Sequence, residues 1–180
     1  MEFLTPHLHF KSMNDDGEIS GYASVFDIVD GYHDIVVKGS FSRATTVFAN
    51  GKKPKLLWQH DINFPIGVVD VMREDDYGLF IKCRLLLELP KAKEVYYLLK
   101  NKAIDGFSIG YRIKDSYFSD NKRYLTDIDL LEISIVTFPA CPSATVEDIK
   151  AYNDILRSIK DISYRIREKI NEQRYTSSNF

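Results

Sequence analysis

The sequence predicts an α+β protein: a β-rich, barrel-like antiparallel or mixed sheet with flanking helices and a long C-terminal helix. Three observations carry this. Most of the chain alternates apolar and polar residues with period two, which is the strand signature. These stretches follow one another through turn residues with few helices between them, which argues against a doubly wound parallel sheet. Helical periodicity is clear in two places only, over 90–102 and after residue 145.

The elements run as follows. LHFKS (8–12) and EISGYASVFD (18–27) are strands flanking the turn signal Asn14-Asp15-Asp16-Gly17. DIVVKGSF (34–41) is β-rich and ends at Gly39. A short helix follows, with Ser40 or Ser42 as N-cap and Gly51 past its end. KLLWQHD (55–61) is a strand running into a loop. IGVVDVMRE (66–74) and GLFIKCRLLLE (78–88) flank Asp75-Asp76-Tyr77-Gly78, a hairpin signal. Residues 90–102 form a helix with Pro90 in its first turn and Ala92, Val95, Tyr96 and Leu99 on one apolar face. GFSIGYRIKD (106–115) and 123–138 return to period two, and Pro139 and Pro142 end the second run. From Thr145 a capping box opens a helix with Tyr152, Ile155, Ile159, Ile162, Ile166 and Ile170 on one seam. That seam suits packing on the sheet, or pairing with a partner or second copy. The expected division is a catalytic domain over 1–145 and a C-terminal helix and tail over 146–180.

Composition narrows the function. The chain has 180 residues, 44% hydrophobic and 13% aromatic, enough for one well-formed core. Its net charge is −2 with both signs interspersed, so no basic surface for nucleic acid stands out. No apolar run approaches the roughly 20 residues of a membrane span. The N-terminus lacks the basic and apolar regions of a signal peptide. These features predict a soluble, cytoplasmic protein. Cys83 and Cys141 fit a reducing compartment, Cys83 as a small core residue.

Asp105-Gly106-Phe107-Ser108-Ile109-Gly110-Tyr111 contains Gly-x-Ser-x-Gly, the pattern of a nucleophile elbow. The elbow requires a helix after the serine and a histidine later in the chain. Here a strand follows, and His7, His9, His33 and His60 all precede Ser108. The α/β-hydrolase reading therefore fails. A serine nucleophile on another fold remains open, since triads recur in different chain orders. Alternation places Ser108, Gly110 and Arg112 opposite Phe107, Ile109, Tyr111 and Ile113, and the glycines leave room for a peptide. The opposing reading is a small polar residue on a solvated strand face.

A serine hydroxyl needs a base. His60, in Trp58-Gln59-His60-Asp61, is the best candidate, on a face with Leu56 and Trp58 if the strand persists that far. His33 sits in a turn-like setting. His7 and His9 form a His-x-His pair, but no third metal ligand is evident. Among the acids after Ser108, Glu132 interrupts an apolar strand, where a carboxylate is costly to bury unpaired. Ser134 on the same face permits the alternative that this face is solvated.

GYASVFDIVDGYHDIVVKGSFSRA (21–44), LLWQHDINFPIGVV (56–69), LLKNKAIDGFSIGY (98–111) and DIDLLEISIVTFPACPSA (127–144) occur in order. Together these blocks resemble the prohead protease family of tailed bacteriophages over roughly residues 18–146. The resemblance implies a serine endopeptidase of capsid maturation, packed inside the immature prohead in the host cytoplasm. It would cleave scaffolding protein, or the scaffolding segment of the major capsid protein, and itself. It implies a fold similar to the herpesvirus assemblins, with His60 and Ser108 as catalytic residues; from the residues themselves no cofactor or metal is expected. An acidic residue of the DLLE block replaces the second histidine of assemblins: Glu132, with Asp129 and Asp127 as alternatives. Two departures stand out: Cys141 where the family more often has Asn, and His33 where a shorter Gly-Asp turn is expected. The rival function is a non-enzymatic capsid-assembly module that binds scaffold through the C-terminal helix.

Overall fold

The computed structural model describes residues 10–13, 16–141 and 165. His7, His9 and the helix predicted after residue 145 lie outside the described residues, apart from the helical Arg165. Ten elements are seen: strands β1 (Phe10–Met13), β2 (Glu18–Val25) and β3 (Asp34–Val36), helix α1 (Ser42–Ala49), strands β4 (Lys55–Trp58), β5 (Asp61–Glu74) and β6 (Gly78–Leu85), helix α2 (Pro90–Lys100), and strands β7 (Gly106–Ser119) and β8 (Lys122–Val136).

The eight strands form one mixed sheet in the order β1-β2-β6-β5-β4-β8-β3, with β7 also paired to β8. Long β8 organises it. One edge of β8 pairs antiparallel with β7 along nearly its whole length. Parallel pairing brings in both β3, at Val36↔Leu125, and β4, at Leu56↔Ile133. The sheet curls so that β2 approaches β7, giving a half-barrel. Among the described residues no ladder joins β1 or β2 to β7, so the barrel does not close.

The core is built by Ile19, Leu56, Ile66, Leu79, Ile81, Phe107, Leu125, Ile128, Ile133 and Ile135, all fully buried, with Phe41 beside α1. α2 covers part of this core with Ala92, Val95, Tyr96 and Leu99, the face that helical spacing predicts. Its N-cap is Leu89, and Pro90 opens the first turn, where a missing N–H costs nothing. The Asp75–Gly78 hairpin also forms as predicted. Asp75 accepts the backbone N–H groups of Tyr77 and Gly78 at 2.9 and 3.2 Å, an Asx turn that closes β5 onto β6.

Several local expectations are corrected. The N-cap of α1 is Phe41 without a side-chain cap. Ser40 instead donates to Leu125 O (2.6 Å), tying the chain before α1 to β8. The strand beginning at Lys55 stops at Trp58, and a new strand starts at Asp61. His60 therefore shares no strand face with Leu56 and Trp58.

Candidate active site

Gln59 and His60 form a two-residue turn between β4 and β5, with φ of 53° and 60°. Trp58 pairs with Asp61 across it. Two residues at positive φ define a type I′ hairpin, a turn that normally selects Asn-Gly or Gly-Gly. Non-glycine residues held there cost on the order of 1 kcal/mol or more each, so the surroundings must impose the shape. β8 does this. The parallel pairing of β4 brings the turn over residues 134–137. Gln59 N–H donates to Ile135 O (3.0 Å), and Gln59 Nε2 donates to Thr137 Oγ1 (2.6 Å). His60 N–H donates to Ser134 Oγ (3.0 Å).

The same rungs present Glu132. Its Oε1 lies 2.6 Å from His60 Nδ1, and its Oε2 accepts from Ser134 Oγ at 2.8 Å. The Glu132 side chain is 13% exposed, whereas that of His60 is 45% exposed. Antiparallel pairing sets Gly110 opposite Glu132 and Ser108 opposite Ser134. Ser108 is 5% exposed, so it does not lie on the solvated strand face that alternation permits. It lines a cavity of about 280 Å³ together with His60. No hydrogen bond joins Ser108 to His60 in this conformation. Hydrogen bonds of this kind often tighten only with substrate in place.

Asp30, Tyr32, Asp34 and Tyr111 also line this cavity. Asp34 is buried and takes two hydrogen bonds from Arg123, at 2.7 and 2.6 Å. Asp30 accepts the backbone N–H groups of Tyr32 and Asp34, both at 2.8 Å, shaping the turn before β3. Burial is the main cause that pushes the Asp30 carboxyl above its ordinary range. Burial, then the charges of Asp34 and Asp30, pushes the Tyr111 phenol up as well. The signal in the sequence was Asp30-Gly31-Tyr32-His33-Asp34, an Asx-type turn with a second acid. Its partner Arg123 lies 89 residues away (123 − 34), too far for local reading.

The other candidates fall elsewhere. Asp127 pairs with Arg43, and its Oδ1 accepts from Arg43 Nε at 3.1 Å. Asp129 and Arg112 line a separate cavity beside α1. Arg112 thus opens onto a different pocket from Ser108. His33 lies in an exposed turn with φ 63°. Among the described residues no three His, Cys, Asp or Glu side chains are grouped to hold a metal. No helix among them is long and apolar enough to cross a membrane. Ser134 was missed as a functional residue, because a strand serine reads as solvent-facing when its covering strands are distant in sequence.

Fold and site together define a β-rich protein whose curled sheet sets a serine and a histidine on one cavity, the histidine paired with a carboxylate. The profile of the caudovirus prohead serine proteases matches residues 7–158, and the chain belongs to that family. It is 29% identical over 175 residues to the prohead protease of Enterobacteria phage HK97, covering 94% of this chain and 76% of that protein. It is 26% identical over 138 residues to the prohead protease of Escherichia phage T5, covering 76% of this chain and 64% of that protein. The solved capsid assembly protease of bacteriophage T4 superposes with a TM-score of 0.52 at 12% identity, over 75% of this chain and 93% of that one. The last likeness concerns the fold.

Proposed function

We propose that this protein is a serine endopeptidase of capsid maturation, acting inside the immature prohead on scaffolding protein, or the scaffolding segment of the capsid protein, and on itself. Family membership supports the serine protease class. The observation that carries the site is the 2.6 Å His60–Glu132 pair, set on the cavity that Ser108 lines. In this reading His60 Nε2 takes the Ser108 proton as Oγ bonds to the peptide carbonyl carbon. The C–N bond then breaks, and the leaving amine receives the proton from His60. Water, activated by the same ring, hydrolyses the acyl-enzyme. Glu132 orients the ring and stabilises its charged form. Oxyanion donors would be backbone N–H groups of strand 106–110 or the loop after Val136.

Ser108→Ala tests this. The hydroxyl is small and buried, so the variant should fold. Scaffold or capsid-protein cleavage should fall by a factor on the order of 10⁴ or more, as in triad knockouts. Normal processing by the variant on a gel would sink the assignment. It would favour the non-enzymatic assembly module.

A further inference from the structure

We propose that Ser134 is a positioning residue of this site. Its hydroxyl fixes the direction of hydrogen bonding through Glu132, and so holds His60 in the tautomer that leaves the Nε2 lone pair free to accept. The inference rests on the protease reading above.

The argument begins with what each atom can do. A backbone N–H can only donate, so in the contact with His60 N–H at 3.0 Å the Ser134 oxygen is the acceptor. The hydroxyl proton must then go elsewhere. Ser134 is 0% exposed, so water cannot take it. The acceptor in reach is Glu132 Oε2, at 2.8 Å. Donation into a carboxylate is roughly twice as strong as a bond between neutral groups, so this bond holds Oε2 as an acceptor. A carboxylate accepts on both oxygens. The proton in the 2.6 Å contact between Oε1 and His60 therefore rests on Nδ1. Nε2 is left as the acceptor that a serine hydroxyl needs.

The same oxygen has a second effect. It binds the backbone of His60, which is held at φ 60° against its own preference. One side chain thus sets both the ring's partner and the main chain that carries the ring. Strand register adds economy: Ser134 is the direct cross-strand neighbour of Ser108. A single rung of the sheet carries the proposed nucleophile and the brace of its base.

The test uses full-length protein and two readouts. The first is the rate at which a fluorophosphonate labels Ser108. The second is the tautomer of His60, read from ring ¹⁵N and ¹H resonances in NMR. Wild type should take label and show the Nδ1–H form. Ser134→Ala should slow labelling about 10- to 100-fold, the scale seen when groups that orient a site are removed, and give mixed tautomers. Ser134→Thr, which keeps the hydroxyl, should restore both. Ser134→Cys retains the volume with a poor donor, and should match Ala if Ala proves unstable. Labelling at the wild-type rate with an unchanged tautomer in Ser134→Ala or Ser134→Cys overturns the inference. So does a Thr variant as slow as Ala with the tautomer intact, which would mark a packing role. A wild-type protein that takes no label defeats the protease reading, and the ring measurement then decides Ser134 alone.

Discussion

The Glu132 carboxylate occupies the space that a β-carbon at position 110 would fill. The two residues are cross-strand partners on β8 and β7. An added β-carbon would lie 2.8 Å from Glu132 Cδ and closer still to Oε1. Gly110 is thus the seat of the carboxylate that binds His60. Its φ is ordinary for a strand, so side-chain space, and not backbone freedom, requires glycine here.

Gly110→Ala follows directly. The methyl group forces Glu132 off His60 Nδ1 while leaving every other candidate residue in place. Overpacking at such a position costs typically 1–3 kcal/mol, read as a lower midpoint in urea. Fluorophosphonate labelling of Ser108 should drop at least 10²-fold. Adding Glu132→Asp shortens the carboxylate and should recover stability without recovering labelling. A Gly110→Ala protein with wild-type labelling would show that the His60–Glu132 contact is dispensable.

Glu132→Gln probes the charge at nearly constant shape. In a comparable triad, replacing the acid by its amide lowers kcat about 10⁴-fold by favouring the wrong tautomer. A loss of that order is expected in scaffold cleavage. Asp127→Asn and Asp129→Asn should change cleavage by no more than a few-fold. Asp127 is engaged with Arg43 at the surface, where solvent screens an ion pair. A large kinetic loss in either Asn variant, with Glu132→Gln near wild type, would reassign the acid.

How much of this was legible follows from where each signal lives. The α2 face, with Ala92, Val95, Tyr96 and Leu99, is a local periodicity, and helical geometry enforces it. The Asp75–Gly78 hairpin is likewise local, because Asp75 makes its own turn. The Gln59-His60 turn was not legible. It adopts a glycine-type geometry without glycine or asparagine, and the force that holds it comes from Ser134, Ile135 and Thr137, over 70 residues away. Ser134 was misread for the same reason. One strand looks half-solvated until β7 and β4 both pair with it. Ser108, Glu132 and His60 were nameable as residue types in suspicious settings. That β4 runs parallel to β8, with Leu57 beside Ser134, is a non-local pairing that no local pattern encodes.

Asp30 should impose a pH dependence on stability. Its folded-state carboxyl is pushed up, with burial the largest cause. The folded protein therefore holds this proton more tightly than the unfolded chain does. Stability from this group is present below the ordinary carboxylate range and is lost as pH rises through the folded value. Asp34, Arg123 and Tyr111 face it, and Arg123 opposes the shift only partly. Asp30→Asn keeps an oxygen for the Tyr32 and Asp34 N–H groups. It should flatten the fall in Tm on going from about pH 4 upward. An identical slope in both proteins, measured by calorimetry, would count against this account.

The two cysteines should separate cleanly in alkylation. Cys83 is fully buried on β6, and burial pushes its thiol far above the ordinary range, so the reactive thiolate is scarce in the folded state. Cys141 is half-buried and lines the cavity shared by Ser108 and His60. At pH 8 a small alkylating reagent should modify Cys141 first and reach Cys83 only on unfolding, as peptide mass mapping would reveal. A bulky maleimide on Cys141 should then occupy part of the 280 Å³ cavity and slow fluorophosphonate labelling of Ser108 by about tenfold or more, in line with the loss from misplacing a reactant near a nucleophile. Cys141→Ala should be immune to the maleimide and label normally. Modified wild-type protein that still labels at full rate would mean that the probe reaches Ser108 by another path than this cavity.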